Sequence, residues 1–443
     1  MRRKIVSIII ASIVLIGSFY FQTIKVKPNR YQQHLQEKIQ KTISINKFET
    51  LDTYLPVIVI DYKEENNLEA NIEYFEGQES EQYTAQINVI EELASTSKKH
   101  SYQISDIKTT IDEESYGVWV LDGMQEDSTL MRNYIGYTLA GQMSLQSPRA
   151  LFCEVVVEGE YKGIYLLTEK TNDGKEPPDF LDESISFTKA TPYMIGLSII
   201  DEKNNRQLST FRDYTGRKGM IDGAEQVTEL IYPDSTLTEK QTSYIEQDIS
   251  RFEKALASFD SAHLEYGYPN FLDIASFIDY YVLNEWMMNT QAMRNNTFMY
   301  KNVDEKLEVI ASDFNNSFRK DEQGKSVVNN MIMSDIYWYH YLVKDEQFVS
   351  EVIERYEELR TDILSMDKVI ELIDGAVTYL EPAIEREYIL MGNKDAKASY
   401  KQEIEQLKKI IMERTTYLDE NIDSLRSEAH YSINKQFKHI EEK

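Results

Sequence analysis

Seventeen residues without a charge, Ile5 to Phe21, follow Arg2, Arg3 and Lys4 at the start of the chain. An apolar run of that length after basic residues predicts a short membrane-spanning helix with its N-terminus in the cytoplasm. Everything downstream is then expected outside the membrane, in a single-pass protein of the cell membrane. Secretion after signal cleavage is the alternative; the stretch Ile16 to Gln22 offers no clear small-x-small cleavage site. Residues 26–50 are polar, with Pro28 and several Gln and Lys, and read as a juxtamembrane stalk that is partly helical.

Alternation then dominates. Leu55 to Ile60 is β-rich and opens the folded domain, with further strands expected near Tyr83–Val89 and Tyr102–Thr109, and Trp119 to Gly123 ends a strand with a turn. From Ser128 to Met143 the apolar positions fall at three- and four-residue spacings, which predicts an amphipathic helix stopped before Pro148. The strongest hairpin signal follows: Leu151 to Val157, a turn at Glu158–Glu160, then Tyr161 to Glu169. Residues 171–240, with Pro177, Pro178 and many Asp, Asn and Thr, read as an insertion of loops and short strands that includes Tyr193–Ile200.

From Glu246 the period turns helical. Phe271 to Met288 is continuously amphipathic, and Phe298–Lys301 with Leu307–Ile310 predicts a strand pair. Helices are then expected at roughly 335–345, 348–363, 367–390 and 399–427.

Composition narrows the function class. The 443 residues allow two lobes, or one large domain with appendages, and a 42% apolar content is that of a globular protein. A formal charge of −27, from 48 Lys and Arg against 75 Asp and Glu, argues against a nucleic-acid partner. The single Cys153 cannot form an internal disulfide, and its apolar neighbours predict burial. The six His show no zinc-ligand spacing, and there is no Gly-rich phosphate loop or Gly-x-Ser-x-Gly turn.

Candidate chemistry lies in Asn284–Trp286, Asn289–Thr297 and Asp313–Phe318. Carboxamides and a carboxylate grouped on two loops around a hairpin are what a Mg²⁺-nucleotide site needs, because hard cations take oxygen ligands. Read alone, Asp313 is either a carrier of a phosphate-bridging metal or a turn former capping the Asn315–Asn316 bend. Asn289 and Asn296 are likewise either ligands or loop formers, while Trp286 reads as helix core.

This grouping resembles the active-site half of the CotH family, spore-coat-type atypical kinases. The hairpin resembles it too: the family's Asn-Gly-Glu-Tyr-x-Gly-x-Tyr-x-Leu-x-Glu is matched by Gly159, Glu160, Tyr161, Gly163, Tyr165, Leu167 and Glu169, with Glu158 in place of Asn. Asp127 to Asn133 is similar to that family's helix entry, and Arg386, Arg414 and Tyr417–Asp419 to its C-terminal helices.

The resemblance implies an α+β, atypical protein-kinase-like two-lobed domain over residues 51–443, behind a 1–25 anchor and a 26–50 stalk. Within it, 51–170 would be the N-lobe, 171–240 the insertion, 241–330 the active-site region and 331–443 a helical extension. It further implies Mg or Mn with ATP as cofactor and phosphorylation of Ser on envelope or spore-coat-type proteins. The family's Asn-x-Asp-x-x-x-x-Asn loop falls on Asn289, Gln291 and Asn296, and its Asp-aromatic-Asp loop on Asp313, Phe314 and Asn315. Metal ligands would be Asp313, Asn296 and Asn315, with Asp313 the central catalytic residue.

Two departures matter. Gln291 stands where the family has the Asp expected to act as base, and an amide takes up no proton near neutral pH. Asn315 replaces the second Asp of the other loop, losing a charge while keeping an oxygen. In the N-lobe, Ala94 to Tyr102 lacks the family's glycine turn; Lys98 or Lys99 would meet phosphates, with Glu169 ordering one of them as an ion pair. Plain surface charge is the competing reading of all three. The alternative function is therefore a pseudokinase that binds a nucleotide or a partner and acts as a scaffold in envelope or coat assembly.

Overall fold

The computed structural model describes residues 32–429, apart from 36–37, 45–49, 64–67, 77–78, 91–98, 106–117, 144, 171–180, 182–188, 201–205, 215–219, 222–223, 234–236, 296, 320–327 and 393–395. The expected membrane helix, Lys98 and Asn296 lie outside the described residues. Among the described residues no helix is long and apolar enough to cross a membrane.

Strands β1 (Lys41–Ser44) and β2 (Thr50–Thr53) form an antiparallel pair. They precede a closed barrel of β3 (Val57–Tyr62), β4 (Glu69–Glu76), β5 (Glu79–Ile90), β6 (Ser101–Ser105), β7 (Val118–Asp122), β8 (Ala150–Val157) and β9 (Glu160–Glu169), in the order β3-β4-β5-β6-β7-β9-β8. The barrel closes through the parallel pairing of β3 with β8, with Ile58 opposite Val155. Alternation builds it: Ala70, Ile72 and Tyr74 of β4 are buried while Asn71 between them is exposed. β8 is buried at every position, because both its faces are covered, and its run Leu-Phe-Cys-Glu-Val-Val-Val is apolar but for Glu154. Cys153 is buried there, as expected.

A second, antiparallel sheet has the order β11-β12-β10-β13-β14, with β10 at Tyr193–Ile200, β11 at Met220–Ile221, β12 at Ala224–Tyr232, β13 at Thr297–Lys301 and β14 at Glu308–Ile310. β10 falls on the strand expected at Tyr193–Ile200 within the 171–240 segment. It is central in the sheet, paired on one side with β12 and on the other with β13, with Ile195 opposite Met299. The pairing joins positions about a hundred residues apart, beyond the reach of any local period.

The helices are α1 (Arg132–Gln142), α2 (Phe211–Tyr214), α3 (Glu239–Leu256), α4 (Ile274–Trp286), α5 (Tyr339–Leu342), α6 (Glu346–Thr361), α7 (Met366–Leu390), α8 (Ala396–Asn421) and α9 (Leu425–Glu428). Caps set several of their starts. Thr238 and Gln241 form a reciprocal capping box at α3, and Asp273 accepts the Ser276 N–H at 2.8 Å to begin α4. The carboxylate of Asp127 accepts the N–H groups of Met131 at 2.9 Å and Arg132 at 2.8 Å, so α1 starts later than its apolar pattern suggests. The helix expected at 335–345 shrinks to the single turn of α5, and the last one breaks at Asn421 into a 3₁₀ turn before α9.

Helices α1 and α4 are not amphipathic in place. Every residue from Asn133 to Ala140 and from Phe277 to Trp286 is buried, because these two helices pack on each other and α1 also covers β8. Their polar residues therefore face protein and must find partners inside it.

From Gln32 the expected stalk is part of the folded body. Gln33 is fully buried and exchanges two hydrogen bonds with the backbone of Phe152, donating to its carbonyl at 3.0 Å and accepting its N–H at 2.6 Å. His34 lies against Gly375 of α7, and its Nδ1 meets the Tyr134 hydroxyl at 2.8 Å. Burial lowers the His34 pKa from 6.5 to about 4.

A depressed folded pKa means that protonation favours the unfolded form. The stability contributed by neutral His34 is whole above pH 6.5 and is lost as pH falls toward about 4. For a half-buried ring, discounted for solvent screening, about 1–2 kcal/mol is expected. Urea unfolding at pH 7.5 and pH 4.5 checks this: His34→Asn should lose less stability between these two pH values than the parent by that amount, and an equal loss in both proteins would refute it.

Candidate functional site

The 313–315 loop leaves β14 and turns back under α1. Asp313 has a left-handed backbone, with φ at 52°, which Asp tolerates better than bulkier residues, and its Oδ1 accepts the Asn315 N–H at 3.2 Å. The turn-former reading of Asp313 is thus satisfied, and its half-exposed carboxylate remains partly open to solvent.

Two buried carboxamides hold this loop. Asn133 of α1 accepts the Phe314 N–H on Oδ1 at 2.7 Å, and its Nδ2 donates to Asn315 Oδ1 at 3.0 Å and to Asp122 Oδ2 at 3.1 Å. Asn289, at the start of the loop after α4, donates through Nδ2 to the Asp313 carbonyl at 3.0 Å and to Asn284 Oδ1 at 2.8 Å, and accepts the Gln291 N–H at 3.2 Å. Each side-chain amide has one acceptor and two donor hydrogens, and in both residues these are used. Asn289 accordingly serves as a loop former, one of the two roles its sequence offered. The same bonds bring the 289–295 loop and the 313–315 loop together, as expected.

Phe314 is the plug beneath. It is fully buried, stands edge-on to Tyr137 at 5.6 Å, and lies so close to Gly136 that a Cβ there would come within 2.2 Å of its ring. The Asp313 N–H points at the Tyr137 hydroxyl, 3.4 Å away. Burial, with the charges of Asp313 and Asp122 nearby, pushes the Tyr137 phenol far up, so it stays neutral.

Sequence reasoning assigned no role to Asp122, Asn133, Gly136 or Tyr137. The signal was present, since 133, 136 and 137 recur at the three- and four-residue spacing that places them on one helix face.

Glu285 and Arg414 form a buried ion pair between α4 and α8. Glu285 also accepts the N–H groups of Ile332 at 2.9 Å and Met333 at 2.8 Å, while Arg414 donates to the Val328 and Asn330 carbonyls, each at 2.7 Å. Trp286 donates its indole N–H to Thr415 at 3.0 Å and is core, as expected.

The structure corrects the expected partnership of Lys99 and Glu169. The Lys99 ammonium is turned into the barrel, where it pairs with Glu387 of α7 at 2.8 Å, donates to the Ile164 carbonyl and sits 4.7 Å from the centre of the Tyr165 ring. Glu169 pairs with the Arg149 guanidinium and accepts the Arg149 N–H at 2.8 Å. The partner of Lys99 comes from 288 residues further along the chain, so no local pattern could name it. Beside it, Arg386 meets the fully buried Glu154 at 2.7 Å, so two consecutive residues of α7 neutralise two barrel charges. Gly163, at φ 101°, makes the approach possible: a Cβ there would lie 2.1 Å from Glu387 Oε2.

A family model described as CotH kinase protein matches residues 62–418, most of the chain. The chain belongs to the CotH kinase family. The match runs from the end of β3 to α8, so both sheets and the C-terminal helices are parts of the CotH domain. No curated protein matches the chain.

Among the described residues no group of three His, Cys, Asp or Glu could hold a metal ion. Asp313, with its side chain partly open to solvent, is the residue that would hold a Mg²⁺ whose other ligands are phosphate and water oxygens.

Two variants probe the framework. Gly136→Ala should displace Phe314 and cost about 1–3 kcal/mol, read as a lowered urea midpoint. Glu387→Ala strands the Lys99 ammonium and should cost about 3–5 kcal/mol in the same measurement, whereas a loss below 1 kcal/mol would show that water reaches the ammonium.

Proposed function

We propose that this CotH-family chain is a pseudokinase with a kinase-like two-lobed fold, which binds a Mg- or Mn-nucleotide at Asp313 and acts as a scaffold in envelope or coat assembly. The carrying observation is that the binding loop is held rigidly by Asn133 and Asn289 while the position expected to bear the base holds Gln291. Binding needs the first feature; proton removal needs a group that the second lacks. The run at Ile5–Phe21 supports an anchored, extracytoplasmic location, and the charge of −27 supports a protein partner over a nucleic acid.

The retained Asp313 favours a second reading, an active kinase acting on Ser of envelope or spore-coat-type proteins. Phosphoryl transfer rests on positioning and charge neutralisation more than on a strong base.

Incubating the purified full-length protein with labelled ATP and Mg²⁺ or Mn²⁺ separates the two. The parent should bind ATP without labelling, Gln291→Asp should raise labelling by about 100-fold, the scale of general-base catalysis, and Asp313→Ala should bind weakly and stay dark. Labelling by the parent that Asp313→Ala abolishes would establish the kinase reading instead.

A further inference from the structure

Asn133 decides which end of Asn315 meets a ligand. Its own orientation is fixed twice over: Oδ1 must face the Phe314 N–H at 2.7 Å, and Nδ2 must face the Asp122 carboxylate at 3.1 Å. Rotating the amide by half a turn would set N–H against N–H and oxygen against carboxylate. The second hydrogen of Nδ2 therefore points at Asn315, which answers with Oδ1 at 3.0 Å. That leaves the Asn315 Nδ2 on the side away from Asn133, in a half-exposed side chain where it meets no acceptor among the described residues.

We propose that Asn315 serves this site as a hydrogen-bond donor to an anionic oxygen, the chemistry of a phosphate group, and not as a ligand to the cation. An Asp at this position would give one oxygen to Asn133 and keep the other for a metal. An Asn turns its one oxygen toward Asn133 and presents an NH₂ on the open side, which repels a cation and fits a phosphate oxygen. Asn133 is then a positioning residue, and the Asp-to-Asn change converts half of a metal site into part of an anion site. The inference rests on the nucleotide reading above.

The test uses full-length parent and Asn315→Ala, with Mn²⁺ alone followed by electron paramagnetic resonance and ATP in excess EDTA followed by calorimetry. Asn315→Ala should leave Mn²⁺ affinity within about two-fold of the parent and weaken metal-free ATP binding about ten-fold, the loss of one charge-assisted hydrogen bond. A ten-fold loss of Mn²⁺ affinity would overturn the inference, as would unchanged affinity for both probes. Asn315→Asp gives an independent reading if the Ala form misfolds, because its carboxylate still accepts from Asn133. It should also lose metal-free ATP binding, and retention would count against the donor role. A parent that binds neither probe removes the nucleotide reading itself, and this inference with it.

Discussion

The site depends on the complete satisfaction of two buried carboxamides. Asn133 and Asn289 each use every hydrogen-bonding group of the side chain, and between them they hold the Asp313 carbonyl, the Phe314 N–H and the Asn315 oxygen. A left-handed Asp costs of order 1 kcal/mol and persists only where the surroundings over-determine it. Here they do so from two directions, α1 above and the end of α4 beside, while Phe314 fills the space that Gly136 leaves open. Removing one partner would leave a buried donor or acceptor without a mate, and that penalty exceeds what the bond itself contributes.

A second constraint comes from α7. The pairs Glu387–Lys99 and Arg386–Glu154 carry charges into the barrel wall, where desolvation offsets most of their attraction. Their effect is on register more than on net stability. Both charges are met only when α7 lies at one height along β8 and β9, and the bare Gly163 lets the carboxylate reach the Ile164 N–H at 2.7 Å. The first described residues use the same surface, since Gln33 and His34 dock on Phe152, Tyr134 and α7.

On the proposed reading, binding and catalysis would separate in one chain. A loop with one carboxylate would accept a metal-bound phosphate whatever side chain stands at position 291, because the loop is held there by the Gln291 backbone, whose N–H donates to Asn289 and whose carbonyl accepts the N–H groups of Arg294 and Asn295. A change of the side chain at 291 would therefore leave these backbone bonds in place.

The sequence by itself determined the elements whose period is local: the Ala150–Glu169 hairpin, the strand pair Thr297–Ile310, the helices from Glu346 to Asn421, and the resemblance that led to the family. It also brought Asn289, Asp313 and Asn315 into one candidate site, because they lie within a single stretch around one hairpin. Only the tertiary structure decided the partners. Lys99 found Glu387 instead of Glu169, the expected strand at 193–200 took the place between β12 and β13, and the helix at 132–142 is buried on every face from Asn133 to Ala140 instead of on one. It also showed that Asn289 builds the loop and that Asn133 governs Asn315. The physical reason is common to all of these: hydrophobic period reports which face is buried, whereas the mate of a buried polar group is chosen by distance in space, and these mates come from different elements of the fold.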